Sequence, residues 1–322
     1  MANNVGTPRF WVNTTEYYNS MGIVSSGSLK DDGHLSLNPT EDRLWAGGAT
    51  TGINDTRTVS FSNDVNKLFG DKCFVALLGH NLDTAKADYH LQSFGVDYQT
   101  YSAVELVNVD TYGGVGTVRA DGFSITSFEG SSCQANNNSL SLRLDASLTA
   151  YDTHPKINSV IIGEYYDMPH SPDLSLKLSY EMDGVKNIQT KGGATLSNAL
   201  YTKPADWGSG GAWQLGNNQN YRSGRRVWDL SFSYLSDTHV MPVLGIQNYD
   251  EATTTDILDS PDFFSQVWNK TMGGHLPFIF QADNSTNSPD GFAICRFDMN
   301  SLEYDQVANN VYNVKLKIRE SW

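Results

Sequence analysis

His80 and Asn81 follow an apolar run directly and have the side chains best suited to orienting a polar ligand. An imidazole and an amide at the end of a strand often bond the backbone of a tight turn instead, and we favour that interpretation. The seven histidines form no HExxH or HxH pair. Since metal-binding histidines usually occur at such spacings, the sequence predicts no metal site.

The loop 283–291 (DNSTNSPDG) is rich in the oxygen donors that Ca²⁺ prefers. Its spacing differs from that of an EF-hand and it lies between two predicted strands, so we interpret it as a solvated hairpin loop. Residues 112–116 (YGGVG) precede no helix and lack a Walker lysine, which favours a glycine-rich turn over a phosphate loop. No GxSxG motif is present, and no two carboxylates are recognisable as a glycosidase pair. We therefore expect no catalytic residue and no cofactor, and predict that the protein is not an enzyme.

Four aromatic residues are candidates for glycan or contact residues. Aromatic rings can stack on sugars, but Tyr and Trp are also enriched where subunits meet. We favour contacts between domains or subunits, with host-surface glycan as the alternative ligand. The four residues are Tyr165, Tyr166, Trp207 and Trp213.

Composition excludes several classes of function. The chain has 322 residues and a formal charge of −14, which argues against nucleic acid and anionic membranes as partners. No apolar run reaches the roughly 20 residues that span a bilayer, and the first ten residues do not resemble a secretory signal. We expect no membrane insertion and no Sec-type signal. The three cysteines form no CxxC pair, so buried free thiols are expected.

The first half of the chain has the pattern of a β-sandwich. Residues 56–61 (TRTVSF) and 73–78 (CFVALL) are strand-like runs, and Leu140, Leu142 and Leu144 alternate with polar residues. Residues 160–163 (VIIG) are apolar enough for a central strand. We predict an antiparallel sandwich over residues 1–168, with a long surface connection over 30–54.

The second half, residues 169–322, shows further alternation. Trp228, Leu230, Phe232 and Tyr234 are predicted to share one face of a strand, and the last strand should bury Tyr312, Val314, Leu316 and Ile318. An alternating strand is predicted from Leu174 to Tyr180, followed by an irregular excursion over 191–224.

One main helix is predicted near residues 261–272. Ser260 can cap it, Pro261 suits its first position, and Gly273 and Gly274 can end it. Strands around one helix predict an α+β or β-barrel domain after the sandwich, in a protein that is mainly β.

Several stretches resemble proteins of tailed bacteriophage particles. Residues 74–82 (FVALLGHNL) and 161–165 (IIGEY) resemble the jelly-roll modules of galactose-binding or discoidin-like type that occur in virion proteins. Residues 224–232 (GRRVWDLSF), 273–281 (GGHLPFIFQ) and 318–320 (IRE) resemble phage minor tail or baseplate-associated proteins.

This resemblance implies a structural protein without a cofactor, assembled in the host bacterial cytoplasm and located in the virion. Its expected partners are other copies of itself and neighbouring virion proteins, and it would join rings or anchor fibres at the tail or baseplate. No sugar-binding triad is recognisable on the jelly-roll half. The alternatives are a head decoration or head-fibre protein, and a carbohydrate-binding adhesin that uses the loops near His80 with Tyr165 and Tyr166. The excursion over 191–224 is a candidate interlocking arm.

Overall fold

The protein is mainly β, as predicted. A computed structural model describes the following residues: 5–14, 17, 45–46, 55–59, 72–80, 82–83, 87–93, 96–97, 109–112, 115–118, 121–128, 140–146, 156–157, 159–181, 186–198, 225–242, 260–287 and 291–321.

Ten antiparallel strands form the larger of two main sheets. Nine of them follow one another across the sheet, and the tenth, β19 (Tyr304–Ala308), pairs with β20 beside this path. The order of the nine is β13 (Lys177–Glu181), β16 (Arg225–Ser236), β20 (Val311–Glu320), β18 (Phe292–Phe297), β17 (Phe278–Gln281), β1 (Arg9–Val12), β12 (Ser159–Asp167), β4 (Cys73–His80) and β9 (Gly122–Phe128).

The short strand β1 joins the two halves of the chain. It pairs with β12 on one side and with β17 on the other. The boundary predicted at residue 168 therefore runs through a single sheet rather than between two. Because β1 has only four residues, it shows too little periodicity to predict this role from the sequence.

The second sheet contains six further strands of the first half. Its six members include the strand that the alternation of Leu140, Leu142 and Leu144 predicts. They are β3 (Asp55–Val59), β10 (Leu140–Ala146), β5 (Ala87–Ser93), β8 (Val115–Val118), β7 (Val109–Tyr112) and β6 (Val96–Asp97), the last pairing with β5.

Two further pairs of strands stand apart from the main sheets. The first is β2 (Trp45–Ala46) with β11 (Lys156–Ile157), so part of the predicted connection over 30–54 is a short strand. The second is β14 (Lys186–Gln189) with β15 (Thr195–Asn198). Residues 191–198, predicted as the start of an irregular excursion, instead complete this hairpin.

Both faces of the middle strands are buried, which is why their sequences are apolar without alternation. One face belongs to a core that the helical segments also enter. Its members include Phe10, Val12, Trp228, Leu230, Phe232, Phe263, Val267, Phe278, Phe280, Phe297, Val314, Leu316 and Ile318. The opposite face contributes Trp11, Phe74, Ala76, Leu78, Phe123, Ile125, Ile161, Ile279, Phe292 and Ile294.

The large sheet curves around the first of these cores. Trp228 on β16 and Phe280 on β17 are separated by two strands, a distance of about 14 Å in a flat sheet. Their ring centroids are 5.1 Å apart. Phe10 and Phe297, which have one strand between them, are 6.0 Å apart. The curvature brings these rings together in one aromatic core.

The strand β16 differs from its predicted alternation at one point. Trp228, Leu230 and Phe232 are buried as predicted, whereas Tyr234 is 79% exposed. A β-bulge lies between Phe232 and Leu235, and Tyr234 has a positive φ of 61°. Leu235 takes the buried position that the alternation assigned to Tyr234. On β20, by contrast, Val314, Leu316 and Ile318 are buried as predicted, whereas Tyr312 is only partly buried against the same core.

The main helix is shorter than predicted and has different hydrogen bonding. After a short helix α1 (Asp237–Val240), a π-helix covers Phe264–Asn269 in place of an α-helix near 261–272. The Ser265 N–H donates to Asp262 Oδ1 at 2.9 Å, three residues away, so Asp262 and not Ser260 performs the capping. Gly273 and Gly274, both with positive φ, follow the helix as predicted.

Candidate functional site

His80 ends β4 with its imidazole buried, at 3% exposure. Gly79 before it has a φ of 64°, and a bulge in the pairing of β4 with β9 lies at the same point. Nδ1 accepts a long hydrogen bond from the Leu82 N–H at 3.4 Å, which matches the turn role favoured from the sequence. Nε2 is buried and has no hydrogen-bond partner among the described residues.

Burial favours the neutral form of this imidazole. Burial lowers the pKa of His80 to about 4, although the nearby Asp121 carboxylate raises it. A buried, neutral imidazole does not present a surface to a glycan. Asn81, Trp207 and Trp213, the candidates predicted with it, lie outside the described residues, and their role stays a prediction.

Tyr165 and Tyr166 occupy successive positions on β12 and therefore point to opposite faces of the sheet. Tyr166 donates its hydroxyl to the His239 carbonyl at 2.9 Å and packs against Phe263. Burial raises the pKa of Tyr166 above its usual range, and the Asp262 carboxylate adds to the effect. The two rings cannot form a common stacking platform, so a site that combines them is not present on this strand.

Tyr165 belongs instead to a cluster of charges at the end of β12. The Arg9 guanidinium lies 4.4 Å from the centroid of its ring and the Lys72 ammonium lies 5.8 Å away. Arg9 Nε also donates to Asp167 Oδ1 at 2.6 Å, and Asn284 Nδ2 donates to the same oxygen at 3.0 Å. Burial raises the pKa of Asp167, but these bonds and cations outweigh it and hold the pKa below its usual value. The cluster ties β1, β12 and the 283–287 loop together.

Hydrogen bonds to other protein groups hold the described part of the oxygen-rich loop 283–291. Gln281 Nε2 donates to the carbonyls of Asp283 and Thr286 at 3.2 Å and 2.8 Å. Asp283 Oδ1 accepts from the backbone and hydroxyl of Ser285. Within the described part of the chain, no group of three or more acidic, His or Cys side chains is arranged to hold a metal ion. These contacts fit the hairpin-loop interpretation.

Two buried ion pairs connect elements of the large sheet and the π-helix. Arg226 Nη2 lies 3.0 Å from Glu320 Oε1, while Glu320 Oε2 accepts from the Arg226 backbone N–H at 2.9 Å. The same Nη2 donates to the Phe292 carbonyl at 3.0 Å. Burial raises the pKa of the neighbouring Cys295 thiol, and the Glu320 charge adds to the effect. Both carboxylate oxygens of Glu320 are occupied, so the pair fastens β16 to β20.

The second buried pair joins the π-helix to the sheet. Lys270 is 1% exposed, and its ammonium group contacts Glu164 Oε2 and donates to Gln266 Oε1 at 2.7 Å. An ammonium group enclosed between two acceptors inside the protein serves as a structural contact. Cys73 and Cys295 are buried free thiols, as predicted, and Cys133 lies outside the described residues.

A groove of about 510 Å³ lies on the outer face of β16, β19 and β20. Four carboxylates and two lysines line it, and Lys317 Nζ is 2.5 Å from Asp298 Oδ2. The hydrogen bond to Asp298 raises the pKa of Lys317. The charged lining residues are Asp229, Asp298, Glu303, Asp305, Lys315 and Lys317. The carboxylates outnumber the lysines in this groove, and Lys317 is paired with one of them, Asp298.

Exposed apolar side chains are concentrated in one part of the protein surface. Seven large hydrophobic side chains are exposed in the described part of the chain, and four of them fall within residues 174–196. These four are Leu174 at 102%, Tyr180 at 57%, Ile188 at 61% and Leu196 at 59%. Ile188 and Leu196 are direct partners across the β14–β15 hairpin. We call residues 174–181 and 186–198 together the edge segment.

Sequence patterns alone missed the edge segment. The alternation of Leu174, Leu176, Leu178 and Tyr180 predicted a strand with a buried face, yet the strand begins only at Lys177 and Leu174 is fully exposed. Leu178 and Leu176 do pack on the core as partly buried residues. Exposure depends on which strands flank β13, and that is not encoded in β13 itself.

Comparisons of the chain with protein-family models, curated proteins and solved structures found no match. Within the described residues, no helix is both long and apolar enough to cross a membrane.

Proposed function

We propose that this chain is a structural component of a tailed-phage virion, at the tail or baseplate, that acts by assembling with copies of itself and with neighbouring virion proteins. The observation that carries the proposal is the exposed apolar edge segment. Isolated apolar side chains are normal on protein surfaces, but a concentration of them along one segment is typical of an interaction surface.

The distribution of buried charges supports the same function. The Arg226–Glu320 and Lys270–Glu164 pairs and the Arg9–Asp167 cluster connect elements of the fold to one another. The groove on β16, β19 and β20 holds mixed charges with an internal ion pair. Four of the seven exposed large apolar side chains of the described residues lie in the edge segment, and apolar surface is suited to burial against another protein.

Assembly in a ring explains how a small apolar surface can be enough for a stable complex. Contacts that are individually weak become stable when identical subunits close a symmetric structure. A hairpin of two strands is marginally stable by itself, so β14–β15 gains most from a partner that covers Ile188 and Leu196.

The test is a double substitution, Ile188→Ser with Leu196→Ser, measured for oligomer formation in solution and for entry into virus particles. We expect a folded protein that associates more weakly and is depleted from particles. The matched control, Met272→Ser, changes an exposed apolar residue outside the edge segment and should assemble normally.

Imaging of labelled particles separates the alternatives within the virion. Density at the tail or baseplate supports the proposal, whereas density on the capsid favours a head decoration or head-fibre protein. Normal assembly by the double variant contradicts the role of the edge segment.

A further inference from the structure

The large sheet ends at β13, which has a single hydrogen-bonded neighbour, β16, among the described strands. In an antiparallel pair, alternate residues direct their N–H and C=O groups away from the partner. The outer side of β13 therefore carries backbone groups that no other described strand pairs with, and such an edge is a template for another strand.

The side chains of β13 leave this edge accessible. Lys177 is exposed and Tyr180 is 57% exposed, while Leu178 and Ser179 are partly buried. The other end of the sheet is different, because all seven residues of β9 are buried. Among the described residues, β13 is therefore the more accessible of the two sheet ends.

The sequence of β13 is self-complementary when read in the antiparallel direction. With Ser179 opposite Ser179 of a second copy, Lys177 lies opposite Glu181 and Leu178 lies opposite Tyr180, and each pair occurs twice. No other antiparallel register places both charged residues opposite a residue of opposite charge. Opposite charges and aromatic–aliphatic pairs stabilise neighbouring strands, whereas like charges destabilise them.

We propose that β13 pairs with β13 of a second copy in this register, forming a two-fold symmetric dimer with one continuous sheet. The proposal deepens the proposed function by naming the partner and the register at the edge segment. Charge complementarity identifies the occupant as the same chain, since the pattern from Lys177 to Glu181 matches its own reverse.

The dimer accounts for the exposed aromatic and apolar residues near β13. Tyr180 and Leu178 lie on the same face of the strand, so the exposed Tyr180 ring of one copy covers Leu178 of the other. The end of each β13 meets the start of the partner strand, which is the end of that strand nearest the exposed Leu174. Arg319 Nε lies 2.9 Å from a Glu181 carboxylate oxygen, but 43% of the Glu181 side chain stays exposed. Glu181 can therefore also pair with Lys177 of the second copy.

Disulfide cross-linking tests the register directly. At the two-fold axis, the two Ser179 Cα atoms would be about 4.5–5.5 Å apart, within the roughly 4.4–6.8 Å range of disulfides. We expect Ser179→Cys in a Cys133→Ser background to form a disulfide-linked dimer under mild oxidation. Gln306→Cys in the same background is the control, because it lies on the exposed strand β19.

A mixing experiment tests the charges without relying on the disulfide. Lys177→Glu and Glu181→Lys each place like charges opposite one another twice in their own homodimers. Mixed together, the two variants restore opposite charges at both positions. We expect the dimer Kd, measured by sedimentation, to rise about tenfold or more for each variant alone and to recover in the mixture. Any effect within a single chain is the same alone and mixed, so it cancels.

The outcomes separate this inference from the proposed function. If the wild-type protein self-associates but Ser179→Cys cross-links no more than Gln306→Cys, or mixing restores nothing, the β13 dimer is wrong and assembly through another surface stands. If the wild-type protein stays monomeric at every concentration, the dimer is wrong, and entry into particles then decides whether the edge segment serves a different virion protein.

Discussion

Protonation of His80 should make the stability of this protein depend on pH. The imidazole is neutral in the folded protein because burial lowers its pKa to about 4. In the unfolded chain its pKa returns to about 6.5, so the unfolded state binds a proton first as the pH falls. The contribution of the neutral His80 imidazole to the free energy of unfolding is fully present above about pH 6.5. It declines as the pH falls towards 4 and stays lost below that value.

The pKa difference sets the size of the effect. With pKa values of 6.5 unfolded and about 4 folded, the total loss is about 3 kcal/mol, of which about 2 kcal/mol disappears between pH 7 and pH 5. A single domain is usually stable by about 5–15 kcal/mol, so this loss is large enough to measure.

The assay is urea unfolding at several pH values, followed by tryptophan fluorescence, for the wild type and for His80→Asn. Asparagine keeps an acceptor near the position of Nδ1 for the Leu82 N–H and removes the titrating group. The variant is less stable at neutral pH because ring packing is lost, but the difference between the two proteins should shrink by about 2 kcal/mol from pH 7 to pH 5. Carboxylates that titrate in both proteins cancel in this difference.

The control is His275→Asn, which changes an exposed histidine and should follow the wild type at every pH. Protein concentration is held constant because self-association adds to apparent stability. Parallel pH curves for the wild type and His80→Asn would refute the reasoning, since they would mean that His80 binds protons equally in both states.

Two further substitutions test a buried ion pair and a close backbone contact in the folded core. Arg226→Ala leaves Glu320 buried without its cation and should lower the free energy of unfolding by about 3–5 kcal/mol, whereas Arg319→Ala removes a partly exposed pair and should cost about 1 kcal/mol or less. Equal losses in urea unfolding would contradict the assignment of the first pair as buried. Gly163→Ala places a Cβ 1.8 Å from the Val12 carbonyl oxygen and should cost about 3 kcal/mol or prevent folding. Its control, Gly192→Ala, meets only one atom at 4.0 Å, and a comparable loss there would show that steric contact is not the cause.

Periodicity predicted those parts of the fold that depend on one strand and its two faces. The buried positions of β20 follow directly from its alternation, as do Trp228, Leu230 and Phe232 on β16. The alternation failed at Tyr234 because a bulge there depends on the partner strand, where Asn313 Oδ1 accepts the Tyr234 N–H at 3.1 Å. A contact between residues 79 positions apart leaves no local signal.

The same limit applies to the domain boundary and to the candidate site. Residues 9–12 join the two predicted halves by pairing with β12 and β17, and a strand of four residues has no periodic pattern to detect. Tyr165 and Tyr166 were grouped because they are adjacent in sequence, but adjacent positions on a strand face opposite ways. The helix was located by its stripe and its glycines, whereas the choice between Ser260 and Asp262 as cap depended on backbone geometry.

The contrast between the free edges explains why assembly is assigned to β13. The strand β19 is also exposed, but centring it on Gln306 places Asp305 opposite Val307, so its sequence offers no matching charges. Edge strands often carry charges that discourage pairing with other chains. On β13 the two charges have opposite signs and lie symmetrically about Ser179, so they disfavour other partners and registers while favouring a second copy in one register. The residues that would protect an edge against indiscriminate pairing therefore also make one particular pairing specific.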